Sequence, residues 1–292
     1  MIQYIEKAKI KTDYNLKIRN EFNTSIAKSI REDGVLSPLI LLADFTLIDG
    51  FSRFNFSKAE KLPAVVLEDR KKAFFTSVQL NMLSNPYSEF EKARAVKLAV
   101  EYFKIKEEIV VKELNPLLKF SKKLSVLKDC LNIFKLDKGL FNLLESKKSP
   151  ISFALLLTRE DRADQKLLAD FFKEKRFSLS RMQIAYDLMY YIRKRESLDF
   201  AKIIEKCQNE DFFSCLERLR FPKFTELKGD LNSILSRYPG YINFPRDFEA
   251  GFLSFSVKIK GKDDVEKAQQ VLKSIKNDNE IWDFLRKIKG ND

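Results

Sequence analysis

The chain has 292 residues and a formal net charge of +12 at pH 7, from 54 lysines and arginines against 42 aspartates and glutamates. It contains no histidine, which excludes Ser-His-Asp and Cys-His catalysis and histidine-ligated metals. No long uncharged apolar stretch predicts a transmembrane helix, and the length predicts two or three domains.

Residues 1–75 are predicted to form an α/β domain. Ile26 and Ile30 lie four residues apart on one face of a short amphipathic helix, and Gly34 follows it where a C-cap glycine belongs. A compact apolar run and two β-rich segments predict strands. The expected elements are helices at residues 25–33 and 54–61 and strands at residues 39–42, 46–49 and 64–67.

Residues 76–220 have helical periodicity and are predicted to form a helical domain. Ser88 and Glu91 have the spacing of a capping box at the start of a helix. Pro116 is expected in the first turn of its helix, where proline is tolerated. Further helices are predicted at residues 112–119, 123–134, 137–147, 165–176 and 179–195.

Residues 221–292 are predicted to form a small C-terminal α/β unit. Apolar and polar residues alternate from Leu253 to Ile259, which predicts a half-buried strand. Asp263 or Asp264 then caps a helix, and a last helix carries Trp282 and Phe284. The predicted fold class is therefore α+β, mainly α.

The three cysteines, Cys130, Cys207 and Cys215, are odd in number and show no Cys-x-x-Cys spacing. This pattern favours buried free thiols in a cytoplasmic protein over a disulfide framework or a zinc ribbon.

Three blocks of the sequence resemble the ParB family of chromosome and plasmid partition proteins. They are SIREDGVLSPLIL, DGFSRFNFSKAEKLPAVV and LNMLSNPYSEFEKA. They are similar to the family's helix and Gly-Leu-x-x-Pro block, its glycine-arginine block and its E-N-x-x-R block. The likeness covers about residues 20–155, and it implies a ParB-like α/β N-terminal domain followed by a helix-turn-helix.

The family holds the triphosphate of CTP with the glycine-arginine block. CTP or another phosphate-bearing ligand is therefore the implied cofactor. The implied nucleotide- or anion-binding residues are Gly50, Ser52, Arg53 and Asn81. Leu80 stands where the family has the glutamate used for magnesium and hydrolysis, and a leucine cannot bind Mg²⁺. We therefore expect no metal site and no CTP hydrolysis, and we interpret the chain as a binding protein rather than an enzyme.

Other interpretations of the same residues are open. Asp49 to Arg53 also fits a tight turn in which Arg53 pairs with a local carboxylate, and Asn81 also fits a capping or turn residue.

A helix-turn-helix-like segment is predicted at residues 112–134, and its second helix is expected to open with Lys122 and Lys123. The candidate DNA-binding residues are Lys119, Lys122, Lys123, Ser125 and Lys128. Residues 121–128 contain no Arg, Asn or Gln, so phosphate contacts are expected rather than base reading. An ordinary solvated basic helix explains the same pattern.

A tyrosine cluster and a basic run near the end of the helix at 179–195 have structural interpretations. Tyr186, Tyr190 and Tyr191 are interpreted as core or interface residues rather than a base-stacking platform. The Arg193–Arg195 run complements the helix dipole.

The resemblance favours a DNA-binding partition protein that acts as a dimer, with DNA and a ParA-type ATPase as partners and no membrane association. Two alternatives remain open. One is a nucleotide-binding or nuclease-type module on the same fold, and the other is an adaptor that has lost both activities.

Overall fold

The structure is a computed structural model that describes residues 1–243 and 252–288. It forms two compact units, Met1–Gln183 and Ile184–Asp292. The three predicted domains, at 1–75, 76–220 and 221–292, stay a prediction. No helix in the described part of the chain is long and apolar enough to cross a membrane.

A four-stranded mixed sheet with the order β1-β4-β2-β3 begins the first unit. Its strands are β1 (Ile2–Glu6), β2 (Leu39–Leu42), β3 (Leu47–Asp49) and β4 (Lys61–Leu67). β4 pairs antiparallel with β1 and parallel with β2, and β2 pairs antiparallel with β3. All four residues of β2 are buried, as expected for a continuous apolar run in the interior of a sheet.

Two short helices accompany the sheet, α1 (Ala27–Asp33) and α2 (Phe51–Phe56). The predicted helix at 54–61 is wrong in its position. The chain enters α2 directly after β3, and Lys61 already belongs to β4 because it pairs with Glu6 of β1. Pairing across the sheet therefore decides where this helix ends.

Helices form the rest of the first unit. They are α3 (Arg70–Ser84), α4 (Glu89–Glu101), α5 (Glu107–Ile109), α6 (Asn115–Leu117), α7 (Leu124–Asn132), α8 (Lys138–Ser146), α9 (Ile151–Leu157) and α10 (Arg162–Glu174). The unit boundary falls within the next helix, α11 (Leu179–Glu196). The capping box at the start of α4 is confirmed, since Ser88 Oγ accepts from Glu91 N and Ser88 N donates to Glu91 Oε2. No strand interrupts residues 76–220, as the periodicity predicts.

A π turn (Val110–Leu114) joins α5 to α6, so residues 107–117 form one continuous helical stretch. Pro116 lies in the first turn of α6 as expected, which is also the last turn of the continuous stretch. A proline has no N–H for the carbonyl four residues earlier, here that of Lys112 within the wider π turn.

The second unit continues with α12 (Phe200–Lys206), α13 (Phe212–Arg220), α14 (Pro222–Arg237), β5 (Ile242–Asn243), β6 (Ser254–Phe255), α15 (Lys262–Asn277) and α16 (Asn279–Ile288). Ile234, Ile242, Ile281 and Phe284 form its buried core around α14 and α16. The strand predicted at residues 253–259 is only two residues long, although burial alternates along the predicted range. Among the described residues its partner β5 offers only two residues for pairing, which limits the ladder.

The cysteine prediction is wrong for two of the three residues. Cys207 and Cys215 form a disulfide that joins the end of α12 to α13, with their Cα atoms 5.6 Å apart. Cys130 is a buried free thiol as predicted, and burial raises its pKa to about 12. A short turn between two helices brings the two cysteines together. Their separation of eight residues does not form a Cys-x-x-Cys motif, so no sequence motif indicates the pair.

Candidate functional site

A cleft of about 760 Å³ opens beside the junction of β3 and α2. Gly50 makes this junction with φ 96°, in the left-handed region that favours glycine. A Cβ at this position would lie 2.4 Å from Leu39 Cδ2 and 3.0 Å from Arg53 Nε. Both the backbone conformation and the packing therefore require a glycine here.

The four implied nucleotide-binding residues, Gly50, Ser52, Arg53 and Asn81, all line this cleft. Arg53 and Asn81 meet at Asp49. Arg53 Nη2 donates to Asp49 Oδ2 at 2.7 Å, and Asn81 Nδ2 donates to Asp49 Oδ1 at 2.9 Å. The Arg53 side chain is only 21% exposed, so the cleft and the local ion pair, which the sequence presents as alternatives, occur together.

Two further cations line the cleft that the sequence motifs do not indicate, Lys17 and Arg19. Partial burial and the nearby charge of Arg94 lower the pKa of Lys17, whose ammonium lies 3.7 Å from the ring centroid of Phe22. Both cations come from the irregular segment before α1, where no periodicity or motif marks them. The signal that could have found them is the basic spacing KIR in residues 17–19.

Arg19 is held on one side of the cleft by its neighbours, and one nitrogen of its guanidinium has no hydrogen-bond partner among the described residues. Its guanidinium donates to the carbonyl of Asn85 and lies 5.0 Å from the ring centroid of Tyr87. Its Nε is buried, donates to no acceptor among the described residues and lies 3.7 Å from Glu91 Oε1. Burial, and then the charge of Asp49, raise the pKa of Tyr87, so its phenol stays protonated at neutral pH.

The residue at the position of the implied metal ligand is also part of the cleft. Leu80 lines the cleft with an exposed apolar side chain. No group of three or more His, Cys, Asp or Glu side chains in residues 1–243 and 252–288 could hold a metal ion. The cleft therefore offers cations and amides to a ligand, and Asp49 is already engaged by Arg53 and Asn81.

The second candidate site comprises the turn between α6 and α7 and the first turns of α7. We name Lys119, Lys122, Lys123, Ser125 and Lys128 the basic turn; all five residues are exposed. Lys122 and Lys123 do not open the second helix as expected, because α7 begins at Leu124 and Lys123 is its N-cap. The left-handed residue of the turn is Lys119, with φ 59°.

Asn115 stabilises the turn between α6 and α7 with two hydrogen bonds. Its side chain is fully buried. The side-chain Nδ2 donates to the backbone carbonyl of Ser121 at 3.2 Å, and the backbone carbonyl of Asn115 accepts from Phe120 N at 2.8 Å. α7 packs on α4 through Leu127 and Cys130. The opposite face, which carries Lys128, is therefore left to solvent on a rigid support.

Among known proteins, matches to this chain occur only for solved structures. No protein-family model matches the sequence, and no curated protein matches it. Two similar solved structures are of the C-terminally truncated chromosome-partitioning protein ParB from Caulobacter crescentus. The complex with CTP-gamma-S is 18% identical, covers 58% of this chain and 97% of that chain, and has a TM-score of 0.26. The complex with the centromeric parS site is 15% identical, covers 62% and 96%, and has a TM-score of 0.36.

A third similar structure is that of a Pnob8-like ParB-N domain. It is 15% identical, covers 79% of this chain and 97% of that chain, and has a TM-score of 0.37. ParB structures are thus among the solved proteins that this chain is similar to, as the sequence blocks indicate. At these identities and TM-scores, we derive the function from the geometry of the chain itself.

Proposed function

We propose that the chain is a ParB-like DNA-binding protein that contacts the phosphate backbone of duplex DNA through the basic turn. The observation that carries this proposal is the set of four exposed lysines on the turn before α7 and on α7 itself, none of which forms an ion pair with a described residue. Unpaired lysines on a fixed support can replace the counterions of DNA phosphates.

The chemistry of the basic turn favours phosphate contacts over base reading. Lysine is a compact point charge, and the planar donors that read guanine and adenine edges, those of Arg, Asn and Gln, do not occur in residues 121–128. Residues 114–128 also contain no acidic side chain that would repel a phosphate. Binding is therefore mostly electrostatic and weakly dependent on sequence.

The salt dependence of duplex binding tests this proposal. With about four phosphate contacts, log affinity falls against log salt with a slope of about −3.6. We expect the triple replacement Lys122→Ala, Lys123→Ala, Lys128→Ala to flatten the slope by up to about three units. The measurement is fluorescence anisotropy of a labelled duplex over a salt series.

The matched control removes three exposed lysines of α15, by replacing Lys262, Lys267 and Lys273 with alanine. It lowers the net charge equally, so it separates a local contact from the field of the whole protein. An unchanged affinity and slope in the first variant, or equal losses in both, would contradict the proposed surface.

A second candidate function, binding of a phosphate-bearing ligand, is favoured by the cleft. Its volume is in the range of small-molecule sites, and Lys17, Arg19 and Arg53 supply three cations of two kinds. Arg53 and Arg19 are suited to bidentate phosphate contacts. CTP is the ligand to test first, with inorganic triphosphate as the probe of the phosphate contacts alone.

We expect Arg53→Met to weaken CTP binding by about tenfold or more, since a hydrogen bond to a charged group contributes about 1.5–3 kcal/mol. Lys28→Met, an exposed cation of α1 outside the cleft lining, is the control. Isothermal titration checks both variants. The same samples should release no phosphate above background, because Leu80 gives magnesium no ligand; robust magnesium-dependent CTP turnover would contradict this account.

A dimer, a role in partition and a ParA-type ATPase partner belong to the same proposal. In α15, Val265 and Leu272 lie seven residues apart and are both exposed. A second copy of the chain would cover such a face, and two-fold pairs are the commonest closed assemblies. We expect Leu272→Glu to shift sedimentation at tens of micromolar from dimer to monomer; a monomeric parent chain would contradict the dimer. An adaptor without either activity would show neither duplex nor CTP binding.

A further inference from the structure

An aromatic–cation stack lies in the second unit, at the end of α11 and the junction of α13 with α14. The guanidinium of Arg220 lies 4.3 Å from the ring centroid of Tyr191 and 4.7 Å from that of Phe221. The two rings are 55% and 47% exposed. Tyr191 is therefore not a core residue, and its interpretation as an interface residue stays a prediction, whereas Tyr186 is buried as predicted.

Hydrogen bonds to backbone carbonyls beside the stack hold its residues in position. Arg195, at the end of α11, donates from its two terminal nitrogens to the carbonyls of Leu219 and Arg220. These bonds satisfy carbonyls at the end of α13, where a helix leaves acceptors without partners. Phe221 is the N-cap of α14, and Pro222 fixes the next backbone angle. The rings and the guanidinium therefore project from backbone that three helices hold in place.

The stack is also positively charged. Neither Arg220 nor the neighbouring Lys194 forms an ion pair with a described residue; Lys194 instead lies 5.5 Å from the ring centroid of Tyr190. Two cations thus face aromatic rings without a carboxylate, next to ring surface that is open to solvent. Exposed aromatic rings interleaved with cations are the surface on which unpaired bases stack while their phosphates are neutralised.

We propose that Tyr191, Arg220 and Phe221 form a stacking platform for single-stranded nucleic acid. An unpaired base stacks on the exposed Tyr191 or Phe221 ring, and Arg220 and Lys194 neutralise the adjoining phosphates. This site is distinct from the basic turn, which belongs to the first unit and has no exposed aromatic residue among its five members.

Single strands fit this surface better than the other polyanions. In a duplex, the faces of the bases are covered by their neighbours, so two exposed rings would gain nothing from it. An acidic peptide would engage the cations but would leave the rings without a planar partner. A single strand offers both a π-face and a phosphate in every nucleotide.

The test uses the full chain carrying the three lysine replacements of the basic turn, which keeps the two sites apart. The probe is a labelled oligothymidylate of about 12 nucleotides, compared with an abasic phosphodiester of the same length. We expect Tyr191→Ala and Phe221→Ala each to weaken binding of the oligothymidylate by at least about fivefold, with no change in its salt slope. Binding of the abasic strand should be weak and insensitive to both replacements.

Tyr191→Phe is the matched control, because it keeps the ring and should bind within about twofold of the parent. Thermal melting of each variant identifies any that fails to fold, and the two alanine variants then serve as independent tests. The proposal is overturned if the folded alanine variants bind like the parent. It is also overturned if the abasic strand binds as tightly as the oligothymidylate, or if polyglutamate displaces the oligothymidylate at equal charge.

Discussion

Replacing Gly50 with alanine is expected to lower the free energy of unfolding by about 2–5 kcal/mol. Two costs add at this position. A non-glycine residue is strained at φ 96°, and the new Cβ would lie 2.4 Å from Cδ2 of Leu39. Leu39 is fully buried in a strand that is paired on both sides, so it has little freedom to move away.

Gly34→Ala separates the two costs. Gly34 also has a positive φ, 77°, but a Cβ there meets nothing within 4 Å. This variant should therefore lose only a backbone cost of about 1–3 kcal/mol, because φ 77° with ψ −165° is a region occupied almost only by glycine. Urea unfolding of both variants measures the difference, and equal losses would show that Leu39 yields to the added methyl group. Because Gly50 lines the cleft beside Arg53, Gly50→Ala should also weaken CTP binding.

Replacing Arg94 with methionine is the second large effect that we expect, a loss of about 3–5 kcal/mol. Arg94 Nη2 lies 2.6 Å from Glu145 Oε1, and the two side chains are only 14% and 17% exposed. Arg94 Nη1 also donates to the carbonyl of Ile18 at 2.5 Å. The replacement therefore leaves a largely buried carboxylate and a carbonyl without their main partner.

The double variant Arg94→Met, Glu145→Leu is the informative comparison. It removes both charges, and replacing a whole buried pair with apolar groups costs less than breaking it. Lys28→Ala, which breaks the exposed Lys28–Glu32 pair, should change stability by less than about 0.5 kcal/mol. A single Arg94 variant as stable as the Lys28 variant would show that the pair contributes nothing.

The strongest local patterns predicted their elements well. The apolar run of β2 is a strand at its predicted bounds, residues 39–42, because a buried strand needs only a short continuous apolar segment. The Ser88 capping box marks the start of α4 because both hydrogen bonds are local. The prediction of α2 at residues 54–61 is misplaced because Lys61 pairs with Glu6 of β1, 55 residues earlier. Local hydrophobic periodicity contains no information on such a distant partner.

The candidate sites show the same division. The glycine block indicates Gly50 and Arg53 as candidate residues because they lie close together in the sequence. Asp49 is the centre of the hydrogen-bond network with Arg53 and Asn81 only because Asn81 reaches it from α3. Tyr191 and Phe221 come together through one guanidinium, and they are 30 residues apart in the sequence. Contacts of this kind depend on how the helices pack, so they cannot be predicted from residue spacing along the chain.

The position of β1 at the edge of the sheet, joined only to β4, has a consequence for synthesis on the ribosome. Ile2 pairs with Val65, so the polypeptide must grow by about 60 residues before the first strand finds its partner. At typical translation rates this interval lasts about 3–13 s. In the last part of this interval, after residue 42 has been added, the apolar strand β2 also lacks β4, its central neighbour. Until residue 67 has cleared the exit tunnel, β1 therefore has no partner and β2 can pair only with β3, so we expect chaperones to bind these open strand edges.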